Sequence, residues 1–222
     1  FSGQTQVTGN CTIQNVSGNC STFVLSGNCT PSGSTITINN ITNTLLKTGY
    51  TINLPQFNIN LVITGQLNGV NGGTGTYTIT PSFSSVTQNF TGPSFVNITQ
   101  TSLNSISNGL ILTGSSLPNP ITILNQISGT TNGIGLYNIT ASSATTSNFI
   151  ALNPLLQVNS VDTNVISSGS ILNGLSLNGN VNVISQVSGT TGGIGLYIIG
   201  SGQTSTTSPF VVQNAFIAGI GS

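Results

Sequence analysis

Hydroxyls aside, five side chains in this 222-residue chain have the chemistry to act as acids, bases, nucleophiles or metal ligands: Lys47, Asp162, Cys11, Cys20 and Cys29. His, Glu and Arg are absent. General acid–base catalysis needs a titrating group held against the reacting atom, and a Ser or Cys nucleophile needs a base beside it. Zinc or calcium sites are built from His, thiolate and carboxylate ligands. One lysine and one aspartate supply neither, so the composition argues against an enzyme and against a cofactor. Charged residues make up 1% of the chain, against about 25% in ordinary soluble proteins. Stability should therefore barely respond to pH, because linkage requires groups whose pKa changes on folding. Nothing basic is available for phosphate, which excludes nucleic acid as a partner. No apolar run approaches the ~20 residues of a membrane-spanning helix.

The three cysteines keep a strict period of nine: Gly9-Asn10-Cys11-Thr12, Gly18-Asn19-Cys20-Ser21 and Gly27-Asn28-Cys29-Thr30. Three thiolates without His make an incomplete zinc set. In a secreted chain they predict a disulfide, with the odd thiol free or paired between subunits. The alternative is three small buried residues along one strand system. A second chemistry is covalent modification. Asn-X-Ser/Thr, with X not Pro, is the acceptor for N-linked sugar. It occurs at Asn10, Asn15, Asn19, Asn28, Asn40, Asn89, Asn97 and Asn138, four of them within the first 30 residues. A chain this rich in Asn, Ser and Thr also generates such triplets by chance. A neutral chain lacks like-charge repulsion; covalent N-glycans could replace it, or association could be its intended state.

The elements that would carry these groups are strands. Ser, Thr, Asn and Gly exceed half of the residues, yet 36% are apolar, too many for a disordered segment. Thr, Ile and Val favour pleated strands, while Asn, Gly, Ser and Pro favour turns. The strongest internal signal is a triplication. ITGQLNGVNGGTGTYTIT, ILNQISGTTNGIGLYNIT and VISQVSGTTGGIGLYIIG start at residues 63, 123 and 183. They align Gln66, Gln126 and Gln186; Gly73, Gly133 and Gly193; Gly75, Gly135 and Gly195; and Tyr77, Tyr137 and Tyr197, each 60 residues apart. The motif reads as strand, Gly-rich turn, strand. It is a poor phosphate loop, since no helix follows and no Lys or acid lies nearby. The tyrosine is expected to cover the turn or the core edge while its hydroxyl reaches water.

These signals predict an all-β fold of β-sandwich type built from three ~60-residue repeats, with a solenoid as the alternative. The expected divisions are an N-terminal Cys- and sequon-rich extension over 1–30, repeats over 31–90, 91–150 and 151–208, and a C-terminal apolar strand over 209–222. Phe1 at the start and the lack of Met fit a processed, secreted, extracellular protein. After each motif comes a Phe-led apolar stretch, and the last, 209–220, repeats the phase of segments that open a further repeat. Val211, Phe216, Ile217 and Ile220 would then form a strand for donation to a neighbouring subunit, with residues 4–25 as the competing donor.

A charge-poor, Ser/Thr/Asn-rich, sequon-dense β-chain resembles the subunits of archaeal glycosylated surface filaments, the threads and bundling pili. Its residue-level support is Asn10, Asn19 and Asn28 in their Asn-Cys-Ser/Thr triplets. The resemblance implies a structural subunit joined head to tail with copies of itself by donor-strand complementation, with possible contacts to other cells or surfaces. The GGTGTYTIT and GTTGGIGLY segments look like repeats of viral fibre and capsid-decoration proteins, which implies a virion fibre or receptor-binding protein instead. A surface-layer or carbohydrate-binding adhesin module is the third expectation, with Tyr50, Tyr77, Tyr137 and Tyr197 as the aromatics able to stack on a sugar ring.

Overall fold

The computed structural model describes residues 7–117, 119–140, 143–200, 202–204 and 206–213. They form sixteen strands and no helix. In chain order the strands are β1 (Val7–Gln14), β2 (Ser17–Ser32), β3 (Thr35–Ile41), β4 (Thr51–Leu54), β5 (Ile59–Gly69), β6 (Gly75–Thr80), β7 (Gln88–Thr101) and β8 (Ile111–Thr113). They continue as β9 (Ile121–Gly129), β10 (Gly135–Ile139), β11 (Thr145–Ala151), β12 (Leu155–Val161), β13 (Ile171–Asn173), β14 (Val181–Gly189), β15 (Gly195–Ile199) and β16 (Thr206–Gln213). The strand residues follow the pleat. In β3, Ile36 and Ile38 point into the core while Thr35 and Thr37 face outward, as a period of two requires.

The sheets close on themselves. β1-β12-β15-β14-β13-β16 is one six-stranded ring. The other ten strands form a larger ring that the β2–β7 pairing divides into two. The first barrel is thus β2-β3-β6-β5-β4-β7 and the second is β2-β7-β10-β9-β8-β11. The expectation of β-sandwiches is corrected to closed barrels. Closure removes the free edges that an open pair of sheets of such short strands would leave.

Each barrel has its own core. Leu25, Cys29, Ile36, Tyr77 and Phe90 lie in the first. Cys20, Val96, Ile98, Tyr137 and Phe149 lie in the second. Cys11, Val158, Tyr197, Ile199 and Phe210 lie in the third. Burying one such Phe or Leu side chain is worth about 1.5–3 kcal/mol.

Residues 7–32 are not an extension. β1 closes the third barrel and β2 closes the second and first, so the amino-terminal strands supply the sixth stave of all three, in reverse order. The two sequence periods are locked together by register. Against the opening strand of each repeat, Cys29 pairs with Ile38, Cys20 with Ile98 and Cys11 with Val158, so a step of nine on one side matches a step of 60 on the other. A bulge sits at each Asn-Cys pair, at Asn28/Cys29, Asn19/Cys20 and Asn10/Cys11. It turns Cys into the core and leaves Asn outside. The preceding glycine faces the Phe of the closing strand: Gly27 pairs with Phe90, Gly18 with Phe149 and Gly9 with Phe210. A Cβ at Gly18 would lie 1.9 Å from the Gln100 carbonyl oxygen, so no side chain fits.

Candidate functional site

Three constellations follow from this fold: the repeated hairpin, the cysteine-bearing stave and the surface rows of sequon asparagines.

The hairpin is one structure built three times. Gln66 Nε2 donates to the Asn68 and Val70 carbonyls at 3.2 and 2.7 Å, and its Oε1 accepts from the Gly72 amide at 3.1 Å. Gln126 makes the same contacts with Ser128, Thr130 and Asn132, and Gln186 with Ser188, Thr190 and Gly192. Position 72, 132 or 192 has positive φ, which Gly and Asn tolerate. Its carbonyl accepts from the amide of Leu46, Ile106 or Ile166, each a buried anchor from the loop upstream. The tyrosine hydroxyls do not reach water. Tyr77, Tyr137 and Tyr197 are buried and donate to the Gly73, Gly133 and Gly193 carbonyls at 2.7 Å. Gly75, Gly135 and Gly195 let the two hairpin strands approach: a Cβ there would lie 2.1–2.2 Å from a facing carbonyl oxygen. The motif thus acts as a turn lock. It exposes no aromatic face to a sugar; Tyr50 is half-buried against the first core beside Phe95, at 6.2 Å between ring centroids.

The thiols are free and buried, one per barrel. Nine strand residues span about 30 Å, far beyond the ~4.4–6.8 Å between Cα atoms that a disulfide needs. The expected disulfide within the chain is corrected: Cys11, Cys20 and Cys29 are core residues of three different barrels. Burial pushes Cys11 and Cys20 up to about 11 and Cys29 up to about 12, the thiol form of an unreactive sulfur.

The single acid sits at the edge of a shallow groove of about 410 Å³ on the third barrel, bordered by Thr8, Asn10, Ser160, Leu175 and Phe210. The Asp162 carboxylate accepts from the Thr8 amide at 3.2 Å and from the Thr8 hydroxyl. Neither Lys47 nor any thiol lines this groove. Among the described residues no group of three or more His, Cys, Asp or Glu could hold a metal ion. Among the described residues no helix is long and apolar enough to cross a membrane.

The sequon asparagines lie almost wholly on strands. Asn10, Asn28, Asn40, Asn89 and Asn97 are exposed, and Asn19 and Asn138 are half-buried. Asn15 is exposed in the step between β1 and β2. Asn138 stands where the third repeat has Ile198, a side chain buried in the second core. Of the expected donor strand, Val211 belongs to β16 and pairs with Thr8 and Asn173. Residues 209–213 are therefore staves of their own chain's barrel rather than a lone apolar edge, and residues 7–25 likewise. Phe216, Ile217 and Ile220 lie outside the described residues. What sequence reasoning missed was the partner of the nine-residue period; the equal count, three beats and three repeats, was the available signal.

No protein-family profile matches this chain, and comparison with the curated proteins and with the solved structures returned no match.

Proposed function

We propose that this chain is a structural subunit of an extracellular, glycosylated filament, assembled head to tail by β-strand complementation. One observation carries the reading. Each barrel takes five strands from its own stretch of chain and a sixth from the amino-terminal stave, up to about two hundred residues away along the sequence. A slot filled by so remote a strand holds it by ladder hydrogen bonds and core contacts alone, and the same strand from another copy satisfies both equally. β1 is the exchangeable part. β2 runs unbroken through two barrels, whereas only Asn15 and Val16 join β1 to it. Three barrels in series, a surface almost free of charge and cores without a cluster of titrating groups suit load-bearing and contact, not turnover.

Electron microscopy of concentrated native protein tests the reading. Open-ended filaments that disappear when residues 1–14 are removed support it. Closed trimers, the expectation for a virion fibre, overturn it, as do filaments unaffected by that truncation.

A further inference from the structure

The stave repeats not only a cysteine for each core but an asparagine for each surface. Asn10, Asn19 and Asn28 occupy the same place in the third, second and first barrels, just before the bulge. Each stands in a row with one outward residue from either neighbouring strand. In the third barrel the row is Ser160, Asn10, Pro209, and in the second it is Gln100, Asn19, Asn148. In the first it is Asn40, Asn28, Asn89. The last row is unlike the others, because all three of its members are sequons: Asn40-Ile41-Thr42, Asn28-Cys29-Thr30 and Asn89-Phe90-Thr91.

We infer that the amino-terminal stave is a glycan-bearing stripe with one sugar per barrel, and that crowding in the first barrel makes Asn28 exclusive of Asn40 and Asn89. This rests on the reading of the chain as a glycoprotein. Neighbouring strands lie about 4.8 Å apart, so directly paired side chains stand some 4.5–5.5 Å from each other. Three exposed asparagines at that spacing leave no room for a hydrated sugar on each. The two outer positions, roughly 10 Å apart, can both be occupied when the central one is bare. Asn10 and Asn19 have no such rival, since Ser160, Pro209, Gln100 and Asn148 head no sequon. Successive stave positions are about 30 Å apart along the strand, so the sugars form a spaced line on one side of the series of barrels. Every one of these asparagines sits in a hydrogen-bonded strand, so sugar attached to the unfolded chain is admitted to a closed barrel only where its row has room for it.

The chain itself simplifies the test. Lys47 is the one tryptic site in these 222 residues, so cleavage after it leaves Asn10, Asn15, Asn19, Asn28 and Asn40 on one peptide. In protein isolated from its native source, fragmentation mass spectrometry of that peptide should find sugar at Asn10 and Asn19. Molecules with Asn28 and Asn40 both occupied should be missing, and N28Q should raise occupancy at Asn40 and Asn89 at least twofold. Joint occupancy of Asn28 and Asn40 on one folded molecule overturns the exclusion, and sugar confined to Asn15, Asn97 and Asn138 overturns the stripe. A native mass equal to that of the unmodified polypeptide overturns the glycoprotein reading and the stripe with it.

Discussion

The junction between the first and second barrels and the junction between the second and third join equivalent units by different means. At the first, backbone does the work: β2 and β7 run through both barrels, sixteen and fourteen residues long. At the second, no strand is shared, and the chain breaks between β1 and β2 and again between β11 and β12. Side chains compensate. The face that the second barrel turns toward the first carries Phe95, Ile127, Leu136 and Asn138, the first three packed in or against the first core. The equivalent face of the third barrel carries Leu155, Val187, Leu196 and Ile198, all four packed in or against the second core. Where the backbone is continuous one position stays polar; where it is broken all four are apolar. In the first repeat the same four positions are Thr35, Leu67, Thr76 and Thr78. No repeat of the described chain packs there, and Leu67 is 60% exposed. That end has the polar outer face of a capping repeat.

If the contrast holds, the third barrel is the one that can be taken apart alone. Removing residues 1–14 deletes β1 and opens only that barrel. Hydrogen exchange should show protection lost across β12–β16 and kept across β2–β11. Uniform loss would show that the three barrels unfold as one unit and that the junctions do not differ. A subtler break is I198N, which places an unpartnered amide in the second core. It should cost about 2–4 kcal/mol, or roughly 5–15 °C in melting temperature for a chain of this size, and split calorimetric unfolding into two transitions. The reciprocal N138I should change stability by under about 1 kcal/mol. Equal costs for the two would sink the comparison.

The hairpin lock should be indifferent to the junction it stands beside. Y77F, Y137F and Y197F each remove one buried hydroxyl and leave a glycine carbonyl without its donor. Each should cost about 1 kcal/mol, with the three values within a few tenths of each other, read from denaturant midpoints. A much larger cost at Tyr197 alone would show that the third barrel leans on its lock to make up for the missing shared strands.

Much of this was legible in the residues. Exact phasing of Gln66, Gly73 and Tyr77 with their two counterparts marked three hairpins, because a turn that needs positive φ and a close strand approach tolerates few substitutions. The all-β composition gave the class. Barrel closure was not legible, since alternation reports which face of a strand is buried and not which strands meet. The cysteines were legible only as two alternatives, a disulfide or three small buried residues along one strand system, and the second is what the fold contains. Their spacing suggested a bond, but spacing along an extended strand separates them by barrel lengths, and only the register shows each one facing Ile38, Ile98 or Val158. The apolar run at 209–213 looked unpartnered because one of its two partners, β1, lies about two hundred residues upstream and the other, β13, is only three residues long.

The smallest expected effect is the response to acid, and it sharpens the comparison by its uniformity across the barrels. Asp162 is the sole side-chain carboxylate, so few groups can take up protons as pH falls, and melting temperature should be level from about pH 3 to pH 8. The alkaline side differs. Burial raises Cys11 and Cys20 from 9.0 to about 11, Cys29 from 9.0 to about 12 and Tyr137 from 10.0 to about 12. Burial also raises Tyr50, Tyr77 and Tyr197. In each case the folded chain holds a proton that the unfolded chain releases first. Above about pH 9 the unfolded state therefore binds fewer protons, and stability falls with rising pH. This contribution is complete below the unfolded thiol pKa and is lost progressively up to about pH 11–12. Because one thiol lies in each core, replacing all three with Ala should flatten the alkaline limb and leave the acid plateau level, though lowered by the cost of three small core cavities. Thermal scans of the parent and the triple variant from about pH 3 to pH 11 measure both limbs. A fall on acidification would mean that stability is governed by groups outside the three cores, and an alkaline limb indifferent to the thiols would assign that limb to the buried tyrosines.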